Sequence, residues 1–228
     1  MDITELKRRV SNGEIADLGE SEEISVGKLK NSNGKSIDYS ISHGWNLIFS
    51  KECSDQWGRH NLELLEYIDS QEYSDEELTE ILESLQTEDF HWDWYAKSHL
   101  MRTDKYRWFY LHAENKPQGA CVMFQPKGSA LNGSSIFYIE FIAVAPWNRD
   151  CSIKERYLYG VGSVMLKSIL DYAVNTLNLT PGFSLHSLPQ SRGYYEKLSM
   201  VNIDKLDKDS LMYFELPMAE AEKLLGAQ

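Results

Sequence analysis

The segment SSIFYIEFIAVAP (134–146) constrains the fold more than any other part of the chain. It is apolar at both odd and even positions, and a strand of that pattern needs cover on both faces. The flanking sequence supplies the cover. Upstream, YRWFYLHAE and ACVMFQP alternate like strands, and ENKPQG between them is a turn, which predicts a hairpin over 106–126. Downstream, GVGSVMLKSILDYAVNTLN carries a broad apolar stripe at Val161, Val164, Met165, Ile169, Leu170, Ala173, Val174 and Leu177, which predicts a long helix. Pro181-Gly182 stops it. GFSLHSL then reads as a strand, SRGYYEKLSM as a short helix and LMYFELP as a last strand. The second half therefore predicts an α/β class, a mixed, twisted β-sheet flanked by helices.

The first half is patterned differently. Residues 1–34 are rich in Gly, Asn, Ser and charge and read as a loop-like lead-in. SIDYSIS and WNLIFS read as short strands around a His43-Gly44 turn. DQWGRHNLELLEYIDS predicts a helix, with Leu62, Leu65 and Ile68 about one turn apart. Ser74 with Glu77 forms a capping box that opens SDEELTEILESLQ. DFHWDWYAKSHLMR predicts a third, aromatic helix. The expected division is an N-terminal helical and strand extension over 1–104, a core over 105–217 and a tail over 218–228, all within one structural domain.

Charge follows the same division. The whole chain carries 23 Lys+Arg and 35 Asp+Glu, so 23 − 35 = −12. Residues 1–105 hold 11 basic and 23 acidic side chains, which is already −12, and residues 106–228 hold 12 of each. Without a basic cluster the chain is not a nucleic-acid binder or an anionic-membrane binder. No apolar run is long enough to span a bilayer, and MDITELKRRV lacks the apolar stretch of a signal peptide. Cys53, Cys121 and Cys151 are odd in number and without a CxxC, which predicts reduced thiols and a cytoplasmic location.

The chemistry-bearing constellation is the long strand followed by Gly160-Val161-Gly162 at a helix start. Such a turn exposes backbone N–H groups, and the helix dipole favours an anion there. The alternative is that the glycines only let the helix pack on the sheet. No Gly-Lys-Ser/Thr follows, which excludes a Walker loop, and the third glycine of a dinucleotide fingerprint is missing. His91, Asp93 and His99 do not share one helical face, so no metal site is expected there.

Three pieces taken in order, IEFIAVAP, YLYGVGSVML and GYYEKLSM after a strand, make residues 105–217 resemble the GNAT acyltransferase superfamily. The last piece is similar to the family's FYEKLGF segment. The resemblance implies a sheet in which two parallel strands splay apart, with acetyl-CoA as co-substrate and no metal. It implies that backbone groups of Ile142, Ala143 and Val144 meet the pantetheine arm. Tyr159, Gly160, Val161, Gly162 and Ser163 form the implied pyrophosphate turn. Tyr157 stands where the family usually has Gln or Arg, with Arg156 one place earlier. Between Pro146 and Gly160 lies an insertion, WNRDCSIKERYLY, expected as a flap or as a solvated loop. Its Lys154 and Arg156 are candidates for the 3′-phosphate. Tyr195 holds the tyrosine position of the FYEKLGF-like segment and is the candidate acid for the departing thiolate. Gln190 is a further candidate contact.

Glu140 is the only ionisable side chain in the long strand, expected on the face of Tyr138, Ile142 and Val144. Desolvation there would suit a general base, and pairing with a neighbouring strand is the alternative. The expected activity is direct N-acetylation of an amine acceptor, a small cation or a protein amine, with a homodimer as an open possibility. The alternative is a catalytically quiet GNAT-fold module that binds acyl-CoA or a protein partner. The acidic first half, 72–89 above all, is expected as either an acceptor-selecting surface or a solvated helix face.

Overall fold

The structure is a computed structural model that describes residues 3–12, 14 and 18–226. Helix α1 (Ile3–Ser11) precedes a hairpin of β1 (Glu22–Lys30) and β2 (Ser36–His43). Three helices follow: α2 (Leu47–Asp69), α3 (Asp75–Ser84) and α4 (Trp94–Leu100). The second half runs β3 (Tyr106–Ala113), β4 (Lys116–Gly128), β5 (Ser135–Val144), α5 (Val161–Asn175), β6 (Phe183–Ser187), α6 (Arg192–Lys197), β7 (Val201–Asn202), β8 (Met212–Glu215) and α7 (Met218–Gly226). The strands form one eight-stranded sheet in the order β1-β2-β3-β4-β5-β6-β8-β7. Every neighbouring pair is antiparallel except β5–β6, which is parallel.

Two cores cover the two faces. Against α5 lie Phe109, Leu111, Met123, Phe137, Ile139, Met165, Ile169 and Phe183, an aliphatic and phenylalanine core. Against α2 and α4 lie Trp57, Trp94, Trp108, Tyr110 and Val122, with Trp92 and Phe141 at the margin. The central strand is thus covered on both sides, as its double apolar pattern requires. The hairpin over 106–126, the helix after Gly160 and the strands at 182–188 and 211–217 are all present.

The first half corrects several expectations. WNLIFS is not a strand. Asn46 is the N-cap of α2, its side chain accepting the Phe49 N–H at 3.0 Å, and the run continues directly into the helix expected from 55. Leu47, Ser50, Lys51, Cys53 and Trp57 are buried at helical spacing, which a short apolar run cannot reveal. The lead-in is not all loop, because β1 occupies 22–30 at the sheet edge, with only Leu29 buried. Residues 1, 2, 13 and 15–17 of that lead-in lie outside the described residues. The aromatic helix is shorter than 89–102, since Asp93 caps it by accepting the Ala96 N–H. The expected tail forms α7 over 218–226, seated on the α5 core through Ala221. β2 pairs with β3 from Tyr39↔Ala113 to His43↔Phe109, so sheet bonds cross the expected boundary at 104/105.

Candidate functional site

The parallel pair opens part-way along. β5 and β6 are in register at Phe137↔Phe183, Tyr138↔Ser184 and Ile139↔Leu185, and there the pairing ends although β5 continues to Val144 and β6 to Ser187. On the other side β5 stays paired with β4 through Gly119↔Val144. The register slips at the point of opening. Met123 faces Ile139 and Val122 faces Phe141, so Glu140 is the extra residue of a β-bulge.

That bulge reverses the alternation of β5 and corrects one expectation. Phe137 and Ile139 belong to the α5 core, and so do Ile142 and Val144, whereas Phe141 and Ala143 belong to the α2/α4 core. Glu140 therefore does not share a simple alternating face with Ile142 and Val144. The Ala145 N–H donates to the Gln118 carbonyl at 2.9 Å. Antiparallel alternation then turns the peptide groups of Ala143 to β4 and those of Ile142 and Val144 into the opening.

Helix α5 starts at the mouth of this opening. Gly160 sits at φ +79, a left-handed conformation that favours glycine, and offers no capping side chain. Helices α2, α3 and α4 are capped by Asn46, Ser74 and Asp93. The first turn of α5 thus presents N–H groups that lack an intrahelical acceptor, with no acidic side chain beside them. A Cβ on Gly162 would stand 3.6 Å from Val144, which shows how closely turn and strand approach.

A cleft of about 460 Å³ joins these parts. It is lined by Ile142, Ala143 and Val144, by Gly160, Val161, Gly162 and Ser163, and by Arg156, Gln190 and Tyr195. Its ionisable walls are Arg149, Arg156 and Lys197 against Asp89 and Asp150, so 3 − 2 gives one net positive charge in a chain of net −12. Tyr157 and Tyr159 do not line it. The segment 156–159 is extended against the end of β1, with the Tyr159 N–H donating to the Lys30 carbonyl and the Ser32 N–H to the Tyr157 carbonyl. Alternation puts Arg156 and Leu158 on the cleft side and sends Tyr157 to Glu114 and Tyr159 to Glu155.

The 147–159 insertion is clamped rather than loose. Arg149 holds the Asp89 carboxylate with two bonds of 2.6 Å, both side chains nearly buried, and also donates to the Val144 carbonyl at 2.9 Å. Asn148 and Trp147 donate to Gln118, and Ser152 bonds Ser84. Lys154 lies 3.1 Å from His60, and Arg156 pairs with Asp150. Sequence reasoning missed Arg149, whose role shows only once Asp89 and Val144 are placed. Gln190 and Glu88 bond reciprocally, closing the cleft between the α3–α4 connection and the turn after β6.

No family model matches the chain, and no curated protein matches it in sequence. Among solved structures it is similar to apo FdhC, a nucleotide-linked sugar GNAT, at 10% identity over 86% of this chain and 92% of that one, with a TM-score of 0.49. It is similar to RimJ of Mycobacterium smegmatis in complex with CoA-disulfide at 14% identity over 91% and 94%, with a TM-score of 0.45. It is also similar to the N-acetyltransferase PseH of Campylobacter jejuni at 15% identity over 64% and 92%, with a TM-score of 0.37. The fold is of the GNAT type. Strand order and the opened parallel pair carry that assignment, since likenesses this distant carry nothing about acceptor or reaction.

Within the GNAT-type sheet, Tyr195 is 6% exposed on α6, ringed by Tyr194 and Phe214. Burial above all, and then the neighbouring Tyr194 and Cys121, push its hydroxyl well above the usual phenol value, so it holds its proton at neutral pH. Glu140 does not line the cleft. Burial raises its carboxyl, opposed by the fields of Lys208 and Lys97. Beside it the Tyr138 hydroxyl lies 2.6 Å from His186 Nδ1, and His186 Nε2 lies 2.9 Å from the Leu206 carbonyl. A carbonyl can only accept, so Nε2 carries the hydrogen and Tyr138 donates to Nδ1. Among the described residues no cluster of three or more His, Cys, Asp or Glu side chains is placed to hold a metal, and no helix is long and apolar enough to cross a membrane. The carboxylates of α3 face solvent; of the carboxylates in 72–89 only that of Asp89 is buried, and it is bound by Arg149.

Proposed function

We propose that the chain is an acetyl-CoA-dependent N-acetyltransferase that transfers the acetyl group directly to a primary amine. The single observation that carries the reading is one cleft in which an opened parallel strand pair meets an uncapped helix N-terminus. Ile142 offers its N–H and C=O groups and Val144 its N–H along an extended edge, the Val144 carbonyl being held by Arg149, which suits the amides of a pantetheine arm. Val161, Gly162 and Ser163 offer N–H groups for the pyrophosphate, and the local positive balance suits an anionic co-substrate in an acidic chain.

In this reading the amine loses a proton to Glu140, directly or through water, and attacks the thioester carbonyl. A main-chain N–H at the β5 edge polarises that carbonyl. Tyr195 then gives its proton to the departing thiolate. The acceptor is an amine reaching the α2/α4 side, where Trp92 and Phe141 stand with ring centroids 4.9 Å apart. The exposed carboxylates of α3 serve as solvation rather than as an acceptor surface.

The test is acetyl-CoA alone in a thermal-shift assay, followed by thiol release with a panel of amines. Stabilisation together with turnover supports the reading. Stabilisation without turnover on any amine supports a quiet acyl-CoA-binding module, and no stabilisation removes acyl-CoA from the account. Tyr195→Phe is expected to lower kcat by about 100-fold with cofactor affinity nearly unchanged. Unchanged turnover removes Tyr195 as the acid.

A further inference from the structure

A second cavity, of about 320 Å³, lies between α2 and the segment 89–95, outside the acyl-CoA cleft. Its volume is that of a small-ligand site, roughly 300–1,000 Å³. The two linings share only Asp89 and Arg149, which are ion-paired with each other. On α2 the lining is one helical stripe, Lys51, Ser54, Asp55, Gly58 and Asn61, spaced three and four residues apart. Trp92, Asp93 and Tyr95 line it from the segment before and at the start of α4.

Two polar groups of this lining have bonding capacity that the chain leaves unused. Asn61 is 9% exposed, and its side-chain carbonyl makes no hydrogen bond among the described residues. A buried carbonyl without a donor is costly, and a ligand donor removes that cost. Asp93 accepts the Ser54 hydroxyl at 2.9 Å and the Ala96 N–H at 3.0 Å, both on Oδ1. Its Oδ2 accepts nothing, and it has no ion-pair partner among the described residues. The other charges of the lining pair off, Lys51 with Asp55 and Arg149 with Asp89. One carboxylate oxygen is therefore left for a cation.

Gly58 lies between these two groups. It stands inside a 23-residue helix, where glycine is less favourable than alanine. A Cβ built on it would meet nothing within 4 Å, so packing does not demand the glycine. Its missing side chain instead keeps the cavity open over the middle of the stripe. Asp93 is tied to Ser54, and Asn61 stands seven residues further along α2, about 10 Å at the helical rise. Trp57, Trp92 and Tyr95 line the same cavity, and such rings attract cations and stack flat apolar bodies.

We propose that this cavity binds a small amine with a flat apolar body and a hydrogen-bond donor at its far end. The ammonium meets Asp93 Oδ2, the body lies over Gly58 against the aromatic side chains, and the far donor meets the Asn61 carbonyl. The site stands apart from the acetyltransferase reading, because none of these groups lines the acyl-CoA cleft.

The test is calorimetric titration of the full chain with tyramine, in the absence of acetyl-CoA. Tyrosol has the same shape with a hydroxyl in place of the ammonium, and 2-phenylethylamine lacks the far donor. Tyramine is expected to bind about tenfold more tightly than tyrosol and about fivefold more tightly than 2-phenylethylamine. Asp93→Asn keeps the cap of α4, since Asn caps as well as Asp, and is expected to bring tyramine down to the affinity of tyrosol. Gly58→Leu puts a side chain into the open space and is expected to weaken tyramine about tenfold or more without lowering the melting temperature. No tyramine binding, equal affinity for tyramine and tyrosol, or an unchanged tyramine affinity in either variant overturns the proposal. With no acetyl-CoA present, each of these outcomes leaves the acetyltransferase reading where it stood.

Discussion

The two halves of the β5–β6 pair are the same two strands put to two uses. From Phe137 to Ile139 they are zipped to β6, and the rings of Phe137 and Phe183 stack at 5.4 Å with neither exposed. From Glu140 onward the partner is gone, and the peptide groups of Ile142 and Val144 face a cleft instead. Unpaired backbone polar groups next to a core are costly unless something satisfies them. Arg149 does so for one of them, the Val144 carbonyl, and it is itself fixed by Asp89. The lesson is that the closed half provides the stability that lets the open half stay unpaired and receptive.

Breaking the closed half gives the largest expected effect. Phe183→Ala leaves a void against Phe137 and is expected to lower stability by about 3–5 kcal/mol in urea unfolding. Acetyl-CoA affinity of the fraction that remains folded should hardly change, because Phe183 does not line the cleft. A loss of affinity with little loss of stability would mean that the two halves do not divide the work in this way.

A smaller effect is expected at the hinge between the halves. Burial raises the Glu140 carboxyl above its ordinary 4.5, so the folded chain favours the protonated form more than the unfolded chain does. Its contribution to stability is then fully present below the ordinary carboxylate value and is lost as pH rises through the raised one. Glu140→Gln should therefore gain stability over the parent at neutral pH, with the gap closing as the solution is acidified. The gain is expected to stay under about 1 kcal/mol, because the carboxyl is only half-buried and water screens it. Thermal melts across acid and neutral pH check this, and a variant less stable at neutral pH would mean that Glu140 is held by a favourable partner.

Much of the frame around the two halves was legible in the sequence. The doubly apolar run at 134–146, the stripe from Val161 to Leu177 and the Ser74–Glu77 capping box each fix a local structure by themselves, and the capping box is present with both bonds. The open half was legible only in part. Gly160 and Gly162 stand out as a glycine turn at a helix start, and Tyr195 only through the resemblance of its segment to the family's, but the bulge at Glu140 leaves no mark in composition. Arg149 and Asp89 are 60 positions apart, and nothing local joins them. In the first half, β1 escaped because an edge strand with one buried residue has little alternation to show, and WNLIFS misled because its helical spacing appears only when read through to Trp57.

Backbone hydrogen exchange with and without acetyl-CoA tests the central claim most directly. The account predicts added protection at the N–H groups of Ile142, Val144, Val161, Gly162 and Ser163. It predicts none beyond the global change at Phe137 and Ile139, which the neighbouring strands already protect. Protection confined to another surface, or none at the β5 edge and the start of α5, would contradict it.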